Sequence, residues 1–287
     1  MAHDHEKAFR YRIPWRTKSM HLGDHRGTER GLGFEYRGNL PFVEYPDARR
    51  MDFRQSVRDP FEQVQVKLFN QDNTTPVYAV CDLSSSMQYG TNPRKLDSAI
   101  AIAESVAYSA WQAGDVFSLV SYHDQVDEAY SQPLSHHLAS SLDLLAELRQ
   151  FRRMQMGARG ALEVSQYLSQ QRGLVFWISD FHMPLHLIEE TLNSLSRHQL
   201  VPVVLWDEAE FSKLPKFGIG NMLDPETGAM RTVFFRDYVR KQFMAAFAER
   251  KTALEQLFLQ FDSQPLFLSE SFTPDVMTRY FDQYVSL

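Results

Sequence analysis

The clearest hydrophobic pattern begins near residue 75. Val77-Tyr78-Ala79-Val80-Cys81 is an unbroken apolar run, which predicts a strand covered on both faces. Leu96, Ile100, Ala103, Ala107 and Ala110 follow at spacings of 4, 3, 4 and 3, one stripe of a helix. Asn92-Pro93 supplies a cap and a first-turn proline ahead of it, and Gly114 a left-handed stop behind it. Residues 115–122 read as a second buried strand. Leu138, Leu142, Leu145 and Leu148 mark another helix, with Ser135 as its cap, and a shorter helix runs to Leu168 after the break at Met156 to Gly160. Residues 174–179 form a third apolar run, Leu185, Ile188, Leu192 and Leu195 stripe the next helix, and residues 200–206 read as a fourth strand. Pro202, near the start of that strand, costs one ladder bond and is tolerable there. Strands alternating with helices predict parallel pairing and right-handed crossovers. The expected fold class is α/β, a doubly wound, mostly parallel sheet flanked by helices.

The flanking regions differ in character. Residues 1–38 are rich in Gly, Arg and His without sustained periodicity, and read as an irregular N-terminal arm. Residues 39–74 form a segment expected to pack on the main domain, and 64–69 alternate as a half-buried strand does. The main domain takes residues 75–287. A β-hairpin insertion near 215–236 is signalled by the Asp224-Pro225-Glu226-Thr227-Gly228 turn and the Thr232-Val233-Phe234-Phe235 run. A long amphipathic helix (Val239, Phe243, Phe247, Leu254, Leu257, Phe261), a short strand at 265–268 and a last helix from Thr273-Pro274 complete the chain.

Composition narrows the function. The 287 residues are 44% hydrophobic with a net charge of −6, which excludes wholesale disorder and argues against nucleic acid as the main partner. The first 60 residues carry 12 basic against 9 acidic side chains, a weak local excess. Cys81 is the single cysteine, so intramolecular disulfides and cysteine-based zinc sites are excluded. No apolar run has membrane-spanning length, and Met1 to Arg10 hold no signal-peptide core. The expected location is cytoplasmic.

In a doubly wound sheet, ligands bind at the carboxyl ends of the strands. Here the first buried strand ends in Asp82-Leu83-Ser84-Ser85-Ser86 and the third in Asp180. Residues 82, 84 and 86 alternate, so an extended backbone turns all three side chains one way. Two carboxylates and two hydroxyls are hard oxygen donors of the kind that suit Mg²⁺ or Mn²⁺. The bland reading is a turn and capping cluster; the position after a buried strand favours ligands. His182 and His186 stand four apart, but Pro184 between them disfavours a helical metal pair.

The Asp-x-Ser-x-Ser motif of Asp82, Ser84 and Ser86, with Asp180 in Ile178-Ser179-Asp180-Phe181, resembles the metal-ion-dependent adhesion site (MIDAS) of von Willebrand factor A (VWA) domains. The likeness extends upstream to the bacterial DUF58 group of these proteins, through Tyr45-Pro46-Asp47-Ala48-Arg49-Arg50-Met51-Asp52-Phe53, Ser56-Val57-Arg58 and Val66-Lys67-Leu68-Phe69, and downstream to the Asp224 to Gly228 turn. It covers roughly residues 20–240. That resemblance implies a Mg²⁺ or Mn²⁺ site at Asp82, Ser84, Ser86 and Asp180. Ala158 stands where the family has threonine, so one oxygen is lost and metal should bind weakly. Arg159 beside it is expected to bring positive charge toward the cation position.

The resemblance further implies a non-enzymatic adaptor partnering a MoxR-type AAA+ ATPase. Its role would be chaperone-like assembly or maturation of a protein complex, such as one of the methanol dehydrogenase type, with a client presenting an acidic side chain to the metal. The chain has no Gly-x-x-x-x-Gly-Lys-Ser/Thr phosphate loop of its own. Two readings compete. A structural subunit with a vestigial metal site is supported by Ala158 and Arg159. A metal-dependent hydrolase is weakened because Ser84 replaces the second acid of Asp-x-Asp phosphatases and no Gly-x-Ser-x-Gly elbow surrounds the serines.

Overall fold

The computed structural model describes residues 7–15, 25–43, 48, 51–61, 63–88, 94–152, 157–206, 218–223, 230–269 and 271–284. The Tyr45-Pro46-Asp47 and Arg49-Arg50 parts of the upstream motif, the Asn92-Pro93 cap, Met156 and the Asp224 to Gly228 turn lie outside them. The chain divides into two compact units: residues 13–75 with 113–115, and residues 1–12, 76–112 and 116–287.

In the smaller unit, β1 (His25–Pro41) pairs antiparallel with β2 (Gln65–Asn73), and its register shifts between Arg26 and Arg30, Arg30 and Glu35, and Tyr36 and Gly38. From His25 onward, the stretch expected to be irregular is therefore strand. The bulges explain why no two-residue period marks it, since each inserted residue flips the alternation. Between the strands, α1 (Phe53–Ser56) is capped by Asp52, whose Oδ1 accepts from the backbone N–H groups of Arg54 and Gln55 at 3.1 and 3.2 Å.

The larger unit runs β3 (Pro76–Asp82), α2 (Lys95–Gln112), β4 (Val116–Tyr122), β5 (Gln132–Ser135), α3 (Leu138–Leu148), β6 (Leu174–Ser179), α4 (Leu185–Leu195), β7 (Gln199–Leu205), a hairpin of β8 (Gly218–Leu223) and β9 (Met230–Phe235), α5 (Asp237–Gln260), β10 (Leu266–Leu268) and α6 (Pro274–Tyr284). Its six-stranded sheet has the order β10-β7-β6-β3-β4-β5. Every pairing is parallel except that of β5 on β4. The expected doubly wound α/β architecture is present. β3 lies between β4 and β6 with all seven residues buried, as its apolar run requires. From β3 the chain steps one way to β4, while from β6 it steps the other way to β7. The crevice where strand order reverses therefore opens at the carboxyl ends of β3 and β6.

Three local expectations change. Ser135 belongs to β5; its Oγ accepts from the His137 N–H at 3.0 Å, and α3 starts one residue later without a side-chain cap. The helix ending near Leu168 is a 3-10 helix, Arg159–Tyr167. Residues 7–12 belong to the larger unit, where Phe9 is buried with its ring 5.7 Å from Phe176 and 6.1 Å from Phe281.

A packed apolar core joins Trp177, Phe181, Ile188, Leu192, Val204, Leu254 and Phe258 across β6, α4, β7 and α5. Among the described residues no helix is long and apolar enough to cross a membrane. In the first turn of the 3-10 helix, Gly160 donates its N–H to the His123 carbonyl at 3.0 Å. A Cβ there would lie 2.5 Å from the backbone carbon of Gln125, with no flexible side chain to yield. Gly160→Ala should therefore destabilise the protein by about 1–3 kcal/mol, measurable as a lower denaturation midpoint at unchanged slope.

Candidate metal centre

Asp82 is the last residue of β3 and Asp180 follows β6, so adjacent parallel strands deliver one carboxylate each to the switch-point crevice. The Asp82 Oδ1 accepts the Ser84 N–H at 2.8 Å, a tight turn that lifts the following serines back toward the strand end. Ser84 Oγ and Ser86 Oγ stand 3.1 Å apart. The Ser84 hydroxyl favours the charged form of Asp82, and the Ser86 hydroxyl that of Asp180. All four predicted residues meet at one place, and each is only 1% exposed.

Groups that the sequence left unremarked hold this cluster. Ser179 donates its hydroxyl to Asp82 Oδ2 at 2.6 Å and accepts the Phe181 N–H at 2.9 Å. Beneath it, the Trp177 indole N–H donates to the Tyr122 hydroxyl at 2.8 Å. On the far side, the Trp206 indole N–H donates to the Asp180 carbonyl at 2.8 Å. Arg250, from α5, donates to the carbonyls of Phe181 and Met183. Phe181 has φ 52°, a left-handed backbone costly for a side chain of that size. Its ring, edge-on to Trp177 at 4.9 Å and Phe258 at 5.1 Å, holds it there.

The most consequential addition is Lys95, the first residue of α2. Its Nζ lies 2.6 Å from Asp180 Oδ2, with the side chains 6% and 1% exposed. Arg159, expected to bring positive charge here, is exposed, and Ala158 is buried in the apolar core cluster. The cation beside the aspartates is thus Lys95. His182 donates its backbone N–H to Asp180 Oδ1 at 3.2 Å, and its ring stacks on Trp206 at an interplanar angle of 6°.

The two carboxylates are electrostatically unlike. Burial, and then the negative charge of Asp180, push Asp82 up to about 7, against the opposing hydrogen bonds of Ser179 and Ser84. Burial also acts upward on Asp180, but Lys95, with His182 and the Ser86 hydroxyl, holds it down at about 2. Asp180 is the fixed negative charge and Asp82 the group poised to take up a proton.

Two carboxylates and two hydroxyls in contact are a donor set of the right kind for a small hard cation, and Asp82, Ser84, Ser86 and Asp180 fit it. Among the described residues no three His, Cys, Asp or Glu side chains gather as a metal cluster.

Comparison with known proteins gives three findings. The family model described as "Protein of unknown function DUF58" matches residues 43–253. Over 99 residues, 34% of the chain and 94% of the relative, the sequence is 28% identical to an uncharacterized protein in the moxR 3' region of Paracoccus denitrificans. Among solved structures, the conserved hypothetical protein BatB from Bacteroides thetaiotaomicron is similar with a TM-score of 0.46 at 13% identity, over 74% of this chain and 97% of that one. A von Willebrand factor type A protein from Catenulispora acidiphila has a TM-score of 0.38 at 11% identity, over 75% of this chain and 42% of that one.

Proposed function

The chain belongs to the DUF58 family, and from that premise we propose that it is a non-enzymatic adaptor that works with a MoxR-type AAA+ ATPase in the chaperone-like assembly of a protein complex. The observation that carries this reading is the meeting of Asp82, Ser84, Ser86 and Asp180 at the switch point of the sheet. Asp82, Ser84, Ser86 and Asp180 would hold Mg²⁺ or Mn²⁺, and a bound ion of that kind supplies a coordination position for an acidic side chain of a partner. The chain's own part is to orient the oxygens. Ser179 and the Ser84 N–H aim Asp82, and Trp206 and Arg250 fix the loop that carries Asp180.

Two further observations support a partner role. The relative in the moxR 3' region points to the ATPase, and without a phosphate loop this chain borrows its ATP hydrolysis. The test is retention of a purified MoxR-type ATPase from the same genome on the immobilised chain, with ATP and Mg²⁺. Native protein should retain it and Ser86→Ala should retain clearly less. Equal retention by both would remove the site from the interaction. Turnover of phosphate or ester substrates that Asp82→Ala abolishes would instead make the chain an enzyme.

A structural subunit with a vestigial site is the second reading. It is favoured by the Lys95–Asp180 ion pair, which already neutralises half of the negative charge.

A further inference from the structure

Lys95 is an unexpected residue at its position. The first turn of a helix carries the positive end of the macrodipole and disfavours cations. Arg94, just before it, is matched locally: its guanidinium lies 2.7 Å from Asp97 Oδ1, and its backbone N–H reaches Asp97 Oδ2 at 3.2 Å. Lys95 instead sends its ammonium to a carboxylate 85 residues away, just past the end of β6. Both oxygens of Asp180 are then engaged, Oδ2 by Lys95 and Oδ1 by the His182 N–H.

We propose that Lys95 is a tethered cation that competes with a divalent metal for Asp180, so that metal enters the site only as the ammonium leaves it. This deepens the metal reading above and rests on it, but not on the identity of any partner. Two cations sharing one carboxylate oxygen in surroundings this buried repel strongly, because little water is present to screen them. The tether makes the competition intramolecular, so the effective concentration of ammonium is high at any metal concentration. The site is therefore charge-balanced at Asp180 in its metal-free form, and its apparent metal affinity is set by the cost of moving Lys95.

The experiment is Mn²⁺ binding, followed by loss of the free-ion electron paramagnetic resonance signal, to the native chain and to Lys95→Met and Lys95→Gln. Gln retains an N–H donor for Asp180 without the charge. Native protein should bind weakly, and either folded variant should bind about tenfold more tightly or better, as displacement of one buried ion-pair partner implies. In parallel, acylation of the Lys95 amine in native protein, read by mass spectrometry, should rise over the same Mn²⁺ range in which binding occurs. Unchanged affinity, absence of binding in the native chain and Lys95→Gln alike, or a Lys95 amine that stays protected while Mn²⁺ binds would each overturn the proposal. Loss of ATPase retention with the Mn²⁺ results intact would overturn only the adaptor reading.

Discussion

Asp180→Ala is expected to cost about 3–5 kcal/mol of stability, because it strips Lys95 of its buried carboxylate. For a chain of this size that corresponds to a fall of roughly 6–20 °C in melting temperature. The effect is large because burial gives the ammonium little water to turn to. Lys95→Met alone should also destabilise, leaving Asp180 charged in the same place. Combining Lys95→Met with Asp180→Leu removes both charges, and should recover most of the loss, since apolar replacement of a buried pair is often nearly neutral. Thermal unfolding of native protein, Lys95→Met, Asp180→Leu and their double variant, followed by circular dichroism, measures the coupling as a double-mutant cycle. A loss below 1 kcal/mol for Asp180→Ala would mean that the two groups are far better solvated than their burial indicates.

Asp82→Asn is expected to act in the opposite direction, and only at higher pH. The Asp82 carboxyl is raised to about 7 in the folded chain, first by burial and then by Asp180, against an ordinary value of 3.8. A raised carboxyl favours the folded state while protonated, and that contribution is lost as pH climbs from about 4 through 7. At about 1.4 kcal/mol for each pH unit between the two values, the penalty at pH 8 approaches about 4 kcal/mol at most. Asparagine stays neutral and keeps an oxygen for the Ser84 N–H. Its melting temperature relative to native protein should therefore climb between pH 4 and 7 and then level off. Asp180, held low by Lys95, acts in a separate window: its contribution is lost as pH falls from 3.8 toward 2. A difference between Asp82→Asn and native protein that did not vary with pH would show Asp82 to be ionised throughout.

The larger unit's sheet and helices were legible because burial wrote itself into the sequence. Unbroken apolar runs marked β3, β4, β6 and β7, and stripes at three- and four-residue spacing marked α2 and α4. β1 was hidden by its bulges. β5 was hidden because it is a four-residue edge strand containing Pro133, with no fully buried position, and such a strand carries little hydrophobic signal. The donor oxygens of the candidate site were legible as a spaced motif at a strand end. Lys95 was not, because an ion pair across 85 residues leaves no local period. Its one trace in the sequence was a lysine at the wrong end of a helix. Arg159 drew notice instead for being next to Ala158 in the chain, yet it is exposed. The supports Ser179, Trp206 and Arg250 come from β6, the end of β7 and α5, and only the fold brings them together.

The stretch matched to the family, residues 43–253, stops short of the pieces that close one side of the sheet. Phe9 and Phe281, which lie against Phe176 from opposite ends of the chain, and β10, which extends the ladder beyond β7, all fall outside it. Trimming the protein to that stretch would bare an aromatic face and an unpaired strand edge, both invitations to self-association. The segments around Phe9 and Phe281 act as a clasp, so residues 43–253 alone are expected to associate where the full chain does not.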